Sequence, residues 1–152
     1  MSMLVAVDPG KQAGIAVFRD KHLLSVGPAF WPDEGNQPNY MLDTWKGHSV
    51  VCEIPQNYRG SVVSTQSLLT LAFGAGYLVG RLQPSTLTLV KPRIWKGQVP
   101  KEIDHARTRR ILSSSEHLAL DLALAITAKS QHHNMLDAIG IGLLKLGRRN
   151  RI

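Results

Sequence analysis

An α/β domain with a mixed five-stranded sheet flanked by helices is what this sequence predicts, on three observations. Three short apolar runs separated by turn residues open the chain, two further apolar runs follow with helical segments around them, and everything past residue 100 is helical in pattern. Hairpin strands first, then strands alternating with helices, is the order that joins an antiparallel meander to a parallel segment.

Residues 4–7 are apolar and stop at Asp8-Pro9-Gly10, where proline and glycine end a strand. Residues 14–18 and 22–26 supply the second and third strands. The stretch 28–38, rich in Pro, Gly, Asp and Asn, reads as loop, and a short helix is expected over 39–45. Residues 49–53 are apolar up to Glu53 and halt before Pro55, the pattern of a buried strand in parallel pairing. From 64 to 82 the residues Leu68, Leu69, Leu71, Ala72, Leu78, Val79 and Leu82 recur at helical spacing behind Ser64 as N-cap. Ala72, Gly76 and Gly80 fall four apart. Glycine costs helix stability, so this stripe implies close approach of another backbone, either the sheet beneath or a second copy of the chain.

Residues 86–90 make the fifth strand, ahead of Pro92, and 101–112 a basic helix. Ser113 and Glu116 fit a capping box for a further helix. Leu118, Leu120, Leu122, Leu124 and Ile126 alternate as in a strand, but an Ala- and Leu-rich segment poor in β-branched residues favours helix. The last helix is expected over 134–146, with Gly147 as its stop. No repeat or low-complexity tract interrupts the chain, which reads as one domain over 1–152.

Composition narrows the function. Eighteen Lys plus Arg against eleven Asp plus Glu give a net charge of +7, which favours a polyanionic partner held by phosphate contacts. The basic residues concentrate late: Lys91, Arg93, Lys96, Lys101, Arg107, Arg109 and Arg110, then Lys145, Arg148, Arg149 and Arg151, a grouping expected to contact nucleic acid. The lone Cys52 excludes a disulfide framework and a cysteine-based zinc module, and it reads as a buried thiol in a reducing cytoplasm. The N-terminus carries Asp8 and no basic leader, and no apolar run reaches the roughly 20 residues of a membrane span.

Carboxylates inside apolar elements are more informative than surface charge, because a buried ionised carboxylate needs a cation partner. Asp8 ends the first strand, Glu53 ends the fourth, and Asp137 lies in the apolar run 135–141 of the last helix. If the first and fourth strands are neighbours and that helix crosses their ends, the three converge and repel unless divalent cations sit between them. Paired metals in such a cluster support phosphodiester hydrolysis. His22, His48, His105, His117 and His132 show no metal-ligand spacing and are read as surface or satisfied core residues, while Trp31, Trp45 and Trp95 are read as core or rim aromatics.

The opening Leu4-Val5-Ala6-Val7-Asp8-Pro9-Gly10, with Gly14-Ile15-Ala16-Val17 after it, resembles the start of the RuvC class of Holliday-junction resolvases, nucleases of the RNase H-like fold. Val51-Cys52-Glu53, the block from Lys91 through Lys96 to Lys101, and Asp137-Ala138-Ile139 are similar to that family's later motifs, in order across nearly the whole chain and in a short form like phage members. The resemblance implies Asp8, Glu53 and Asp137 as ligands of Mg2+ or Mn2+, two ions per site. It implies Lys91, Arg93, Lys96 and Lys101 as DNA contacts, with Tyr58 and Arg59 near the junction centre. Family members place an Asp or His three residues before the final acid, where this chain has Asn134, with His133 one residue earlier. Both positions share the face of Asp137 on a helix, so either can complete the site, and Asp104 or Asp121 is next in line. The function implied is that of a crossover junction endodeoxyribonuclease in DNA recombination and repair, a cytoplasmic homodimer that nicks four-way or branched DNA symmetrically. Alternatives are a nuclease of the same fold acting on forks, flaps or RNA, a binding relative without catalysis, and a sugar-kinase-like phosphate binder, which would need a second domain.

Overall fold

The computed structural model describes residues 2–10, 12–30, 39–56, 63–91 and 99–149. Strand β1 (Met3–Asp8) sits centrally, antiparallel to β2 (Gln12–Arg19), which pairs with β3 (His22–Phe30) at one edge. On its other side β1 runs parallel to β4 (Ser49–Glu53), and β4 parallel to β5 (Thr86–Val90) at the far edge. The order is therefore β3-β2-β1-β4-β5, a mixed sheet.

The alternating side chains of the sheet bury two faces. Leu4 and Ala6 of β1, Ala16 and Phe18 of β2 and Val51 of β4 pack against α4 (Ser114–Ile126) and α5 (His132–Lys145). Val5, Val7, Ile15, Val17, Val50 and Cys52 face the other way, onto α1 (Tyr40–Thr44) and α2 (Thr65–Leu82). Helix α3 (Lys101–Ile111) carries few apolar residues and docks on α5 through the buried Asp104 and Thr108. Ser64 caps α2 by accepting from the Ser67 N–H, and Ser113 with Glu116 forms the expected capping box.

Several boundaries differ from the sequence reading. β3 continues through Pro28 to Phe30, where a loop was expected; β3 is an edge strand, so a residue without an N–H is tolerated there. Among the described residues nothing packs closely on the stripe Ala72, Gly76 and Gly80, all three exposed: a Cβ built at Gly76 or Gly80 meets nothing within 4 Å. The stripe borders a shallow apolar hollow of about 320 Å³ shared with Leu87 and Leu89 of β5, both of them exposed.

Candidate metal centre

Parity decides where the strand-end carboxylates point. Asp8 has the parity of Leu4 and Ala6, and Glu53 that of Val51, so both side chains leave the sheet on the α5 side. The parallel register Val7 to Cys52 continues to Asp8 beside Glu53. Asp8 is buried, at 7% exposure, and Glu53 is half-buried.

Two glycines let α5 lie directly on this corner. A Cβ on Gly14, the cross-strand partner of Asp8, would sit 2.1 Å from the Asn134 carbonyl oxygen, and one on Gly142 would sit 2.1 Å from the Phe18 ring. Only residues without a side chain permit that approach. The helix thus starts over the Asp8 end of β1 and runs back along it. Asp137, three residues on from Asn134 in the same helix, is 6% exposed.

Helix α3 brings a residue that sequence reasoning had set aside. His105 Nε2 lies 3.0 Å from Asp137 Oδ1, and both side chains are largely buried. His105 is thus a largely buried histidine whose ring is satisfied by a carboxylate, the second of the two placements expected for it. Among the described residues, Asp104, His105 and Asp137 form a compact donor group, with ligand atoms all within 4.8 Å of one another. Asp8 and Glu53, at the ends of neighbouring strands, are not members of that group. The signal available in sequence was the polarity of α3 itself. A helix with no apolar stripe must dock through polar pairs, and Asp104 and Thr108 fall four apart on its buried side.

The docking is made by the C-terminus. Gly147, at φ +74°, ends α5 and turns the next two residues back onto the protein. Arg149 donates to Asp104 Oδ1 and to Thr108 Oγ1, the latter at 3.0 Å. Arg148 donates to both Glu116 oxygens at 2.7 and 2.9 Å, and to the carbonyls of Lys21 and Ile111. These two arginines, expected on a nucleic-acid surface, are internal braces instead.

The remaining donors are less engaged with Asp137. Burial first, then the Lys101 ammonium, holds the His133 pKa below the usual range against the pull of Asp137. Asn134 places its backbone against Gly14. Cys52 lies on the opposite face; burial first, then the charges of Asp8 and Glu53, push its thiol up to about 12, which leaves it inert as a nucleophile. A hard donor set of this kind, carboxylates with one imidazole, fits a divalent cation.

Two basic residues border the corner. Ile54 N–H donates to the Val90 carbonyl, so the exposed Lys91 follows directly on the residue paired with Glu53. Lys101, also exposed, opens α3 and acts electrostatically on His133. Tyr58, Arg59, Arg93, Trp95 and Lys96 lie outside the described residues, as does Trp31.

No family model and no curated protein matches the sequence. Solved structures do. The Holliday junction resolvase of fowlpox virus is similar at 14% identity over 95% of this chain and 97% of its own, with a TM-score of 0.54. RuvC of Thermus thermophilus is similar at 14% identity over 99% of both chains, with a TM-score of 0.43. At such identities the likeness shows the fold alone: the five-stranded mixed sheet flanked by helices that the sequence predicts is shared with the fowlpox virus protein.

Proposed function

We propose that this chain is a metal-dependent endonuclease that resolves four-way DNA junctions, a crossover junction endodeoxyribonuclease acting as a homodimer. What supports the reading is that Asp8 and Glu53 leave one face of a basic protein's sheet by strand parity, the face on which the helix carrying the buried Asp137 is seated at Gly14. Buried like charges at one corner are stable only with a cation among them, which is the condition for phosphodiester hydrolysis at such a site.

In this reading Asp8, Glu53 and Asp137 would hold Mg2+ or Mn2+, with Asn134 alongside. The bound ions supply an activated water and neutralise the charge of the leaving oxygen. The chain's own groups support this arrangement: the parallel register puts Asp8 next to Glu53, and the Gly14 contact seats the start of α5 on the cross-strand partner of Asp8. Lys91 and Lys101, with Arg93 and Lys96 in the same segment and Tyr58 and Arg59 after Glu53, draw the phosphate backbone to this corner, contacts that position DNA without reading its bases. The apolar hollow along Ala72, Gly76, Leu87 and Leu89 supports a two-fold dimer contact, which sets a pair of sites at the fixed separation that paired nicks need.

The test is cleavage of end-labelled four-way, flap, fork and linear DNA by the purified protein in magnesium. Paired symmetric nicks confined to the four-way substrate are expected. Equal cutting of linear and branched DNA, or none of any substrate, would overturn the proposal.

A further inference from the structure

We infer that His105, carried by α3 rather than by the helix of the final acid, is a nitrogen ligand of this metal site and makes it favour transition-metal dications over Mg2+. The inference rests on the metal-dependent reading above and names the donor that reading leaves open. Donors bound at right angles to one small dication, each about 2.1 Å from it, are roughly 3.0 Å apart. His105 Nε2 and Asp137 Oδ1 are 3.0 Å apart in a hydrogen bond, the same separation, so an ion would take the place of the proton between them with a small turn of the two side chains.

His105 is the imidazole at hydrogen-bond distance from the Asp137 carboxylate. Asp104 brings its own counter-charge in Arg149, so its part is to hold α3 in register and set the neighbouring His105 against Asp137. An imidazole among carboxylates changes ion preference: oxygen donors alone suit Mg2+, whereas nitrogen raises affinity along the transition-metal series. The site's preference for Mn2+ over Mg2+ therefore resides in one side chain.

The experiment is calorimetric titration of the DNA-free protein with MnCl2 and with MgCl2, for wild type, His105→Ala, His105→Gln and His133→Ala. Mn2+ affinity is expected to fall on the order of tenfold or more in both His105 variants and to hold in His133→Ala, with Mg2+ affinity changed by less than about threefold throughout. On the wild-type protein, 15N imidazole spectra with ZnCl2 provide a second readout that needs no variant: the His105 Nε2 resonance moves and that of His133 stays. Unchanged Mn2+ binding in both His105 variants, or equal losses for both ions, overturns the inference, as does a stationary His105 resonance. If in that case Asp8→Asn still abolishes cleavage, the nuclease reading stands and only the α3 ligand falls; if wild type binds neither ion, both fall.

Discussion

Replacing Glu116 by glutamine tests the brace that ties α3 and α4 to the end of α5. Glu116 is 1% exposed and takes hydrogen bonds from Arg148 at 2.7 and 2.9 Å, from Leu23 N–H at 2.7 Å and from Ser113 N–H at 3.0 Å. Burial opposes its ionisation, but those donors outweigh burial and bring its pKa down from 4.5 to about 2. At about 1.36 kcal/mol per unit the shift is worth about 3 kcal/mol, comparable with the roughly 3 to 5 kcal/mol lost when one partner of a buried ion pair is removed. Because the folded pKa is the lower one, this stability is present in full above about pH 5 and is lost as the pH falls from there to about 2. Glutamine mimics the protonated acid, so Glu116→Gln is expected to be about 3 kcal/mol less stable than wild type at pH 7, with the gap closing toward pH 2. Urea denaturation followed by circular dichroism at pH 7, 5 and 3 measures it. A gap that stays constant with pH, or one under about 1 kcal/mol at pH 7, would refute the reasoning.

Gly14→Ala drives a methyl into the Asn134 backbone and is expected to cost about 3 kcal/mol or more in urea denaturation, with unchanged stability counting against the α5 seating. Gly76→Leu has open space at its Cβ, so its melting temperature should hold while sedimentation shows dimer weakened to monomer; an intact dimer would place the interface elsewhere. Lys101→Ala should lower the slope of log affinity against log salt for junction binding by roughly 0.9, equally for two junction sequences, and an unchanged slope would make it an ordinary surface charge. Arg148→Ala should leave that slope unchanged while lowering stability, since its guanidinium is spent on Glu116.

The strands were legible because apolar runs between turn residues have few other readings, and strand parity then carried Asp8 and Glu53 to the same face. Asp137 stood out for the same reason, as a charge inside an otherwise apolar helix. His105 was not legible, because it sits in a helix whose own sequence is basic and which is buried by ion pairing rather than by an apolar stripe. Arg148 and Arg149 misled in the opposite direction. Terminal arginines resemble a nucleic-acid patch until the turn at Gly147 folds them back onto Glu116 and Asp104, a tertiary event with no local signature. The glycine stripe of α2 suggested a close neighbour, and among the described residues none lies within 4 Å of a Cβ built at Gly76 or Gly80. The extent of β3 was underread because proline is a strand breaker everywhere except at an edge, and sequence alone does not say which strand is at the edge.

The central claim is that Asp8, Glu53 and Asp137 act on the phosphodiester through bound metal and not by holding DNA. The direct measurement pairs cleavage with binding, using one labelled four-way junction in magnesium, in manganese and in chelator, for wild type and for Asp8→Asn, Glu53→Gln and Asp137→Asn. Cleavage is expected from wild type only with a divalent ion and from none of the three variants, while each variant binds the junction about as tightly as wild type. Cleavage in chelator, or wild-type cleavage by any one of the three variants, would contradict the account.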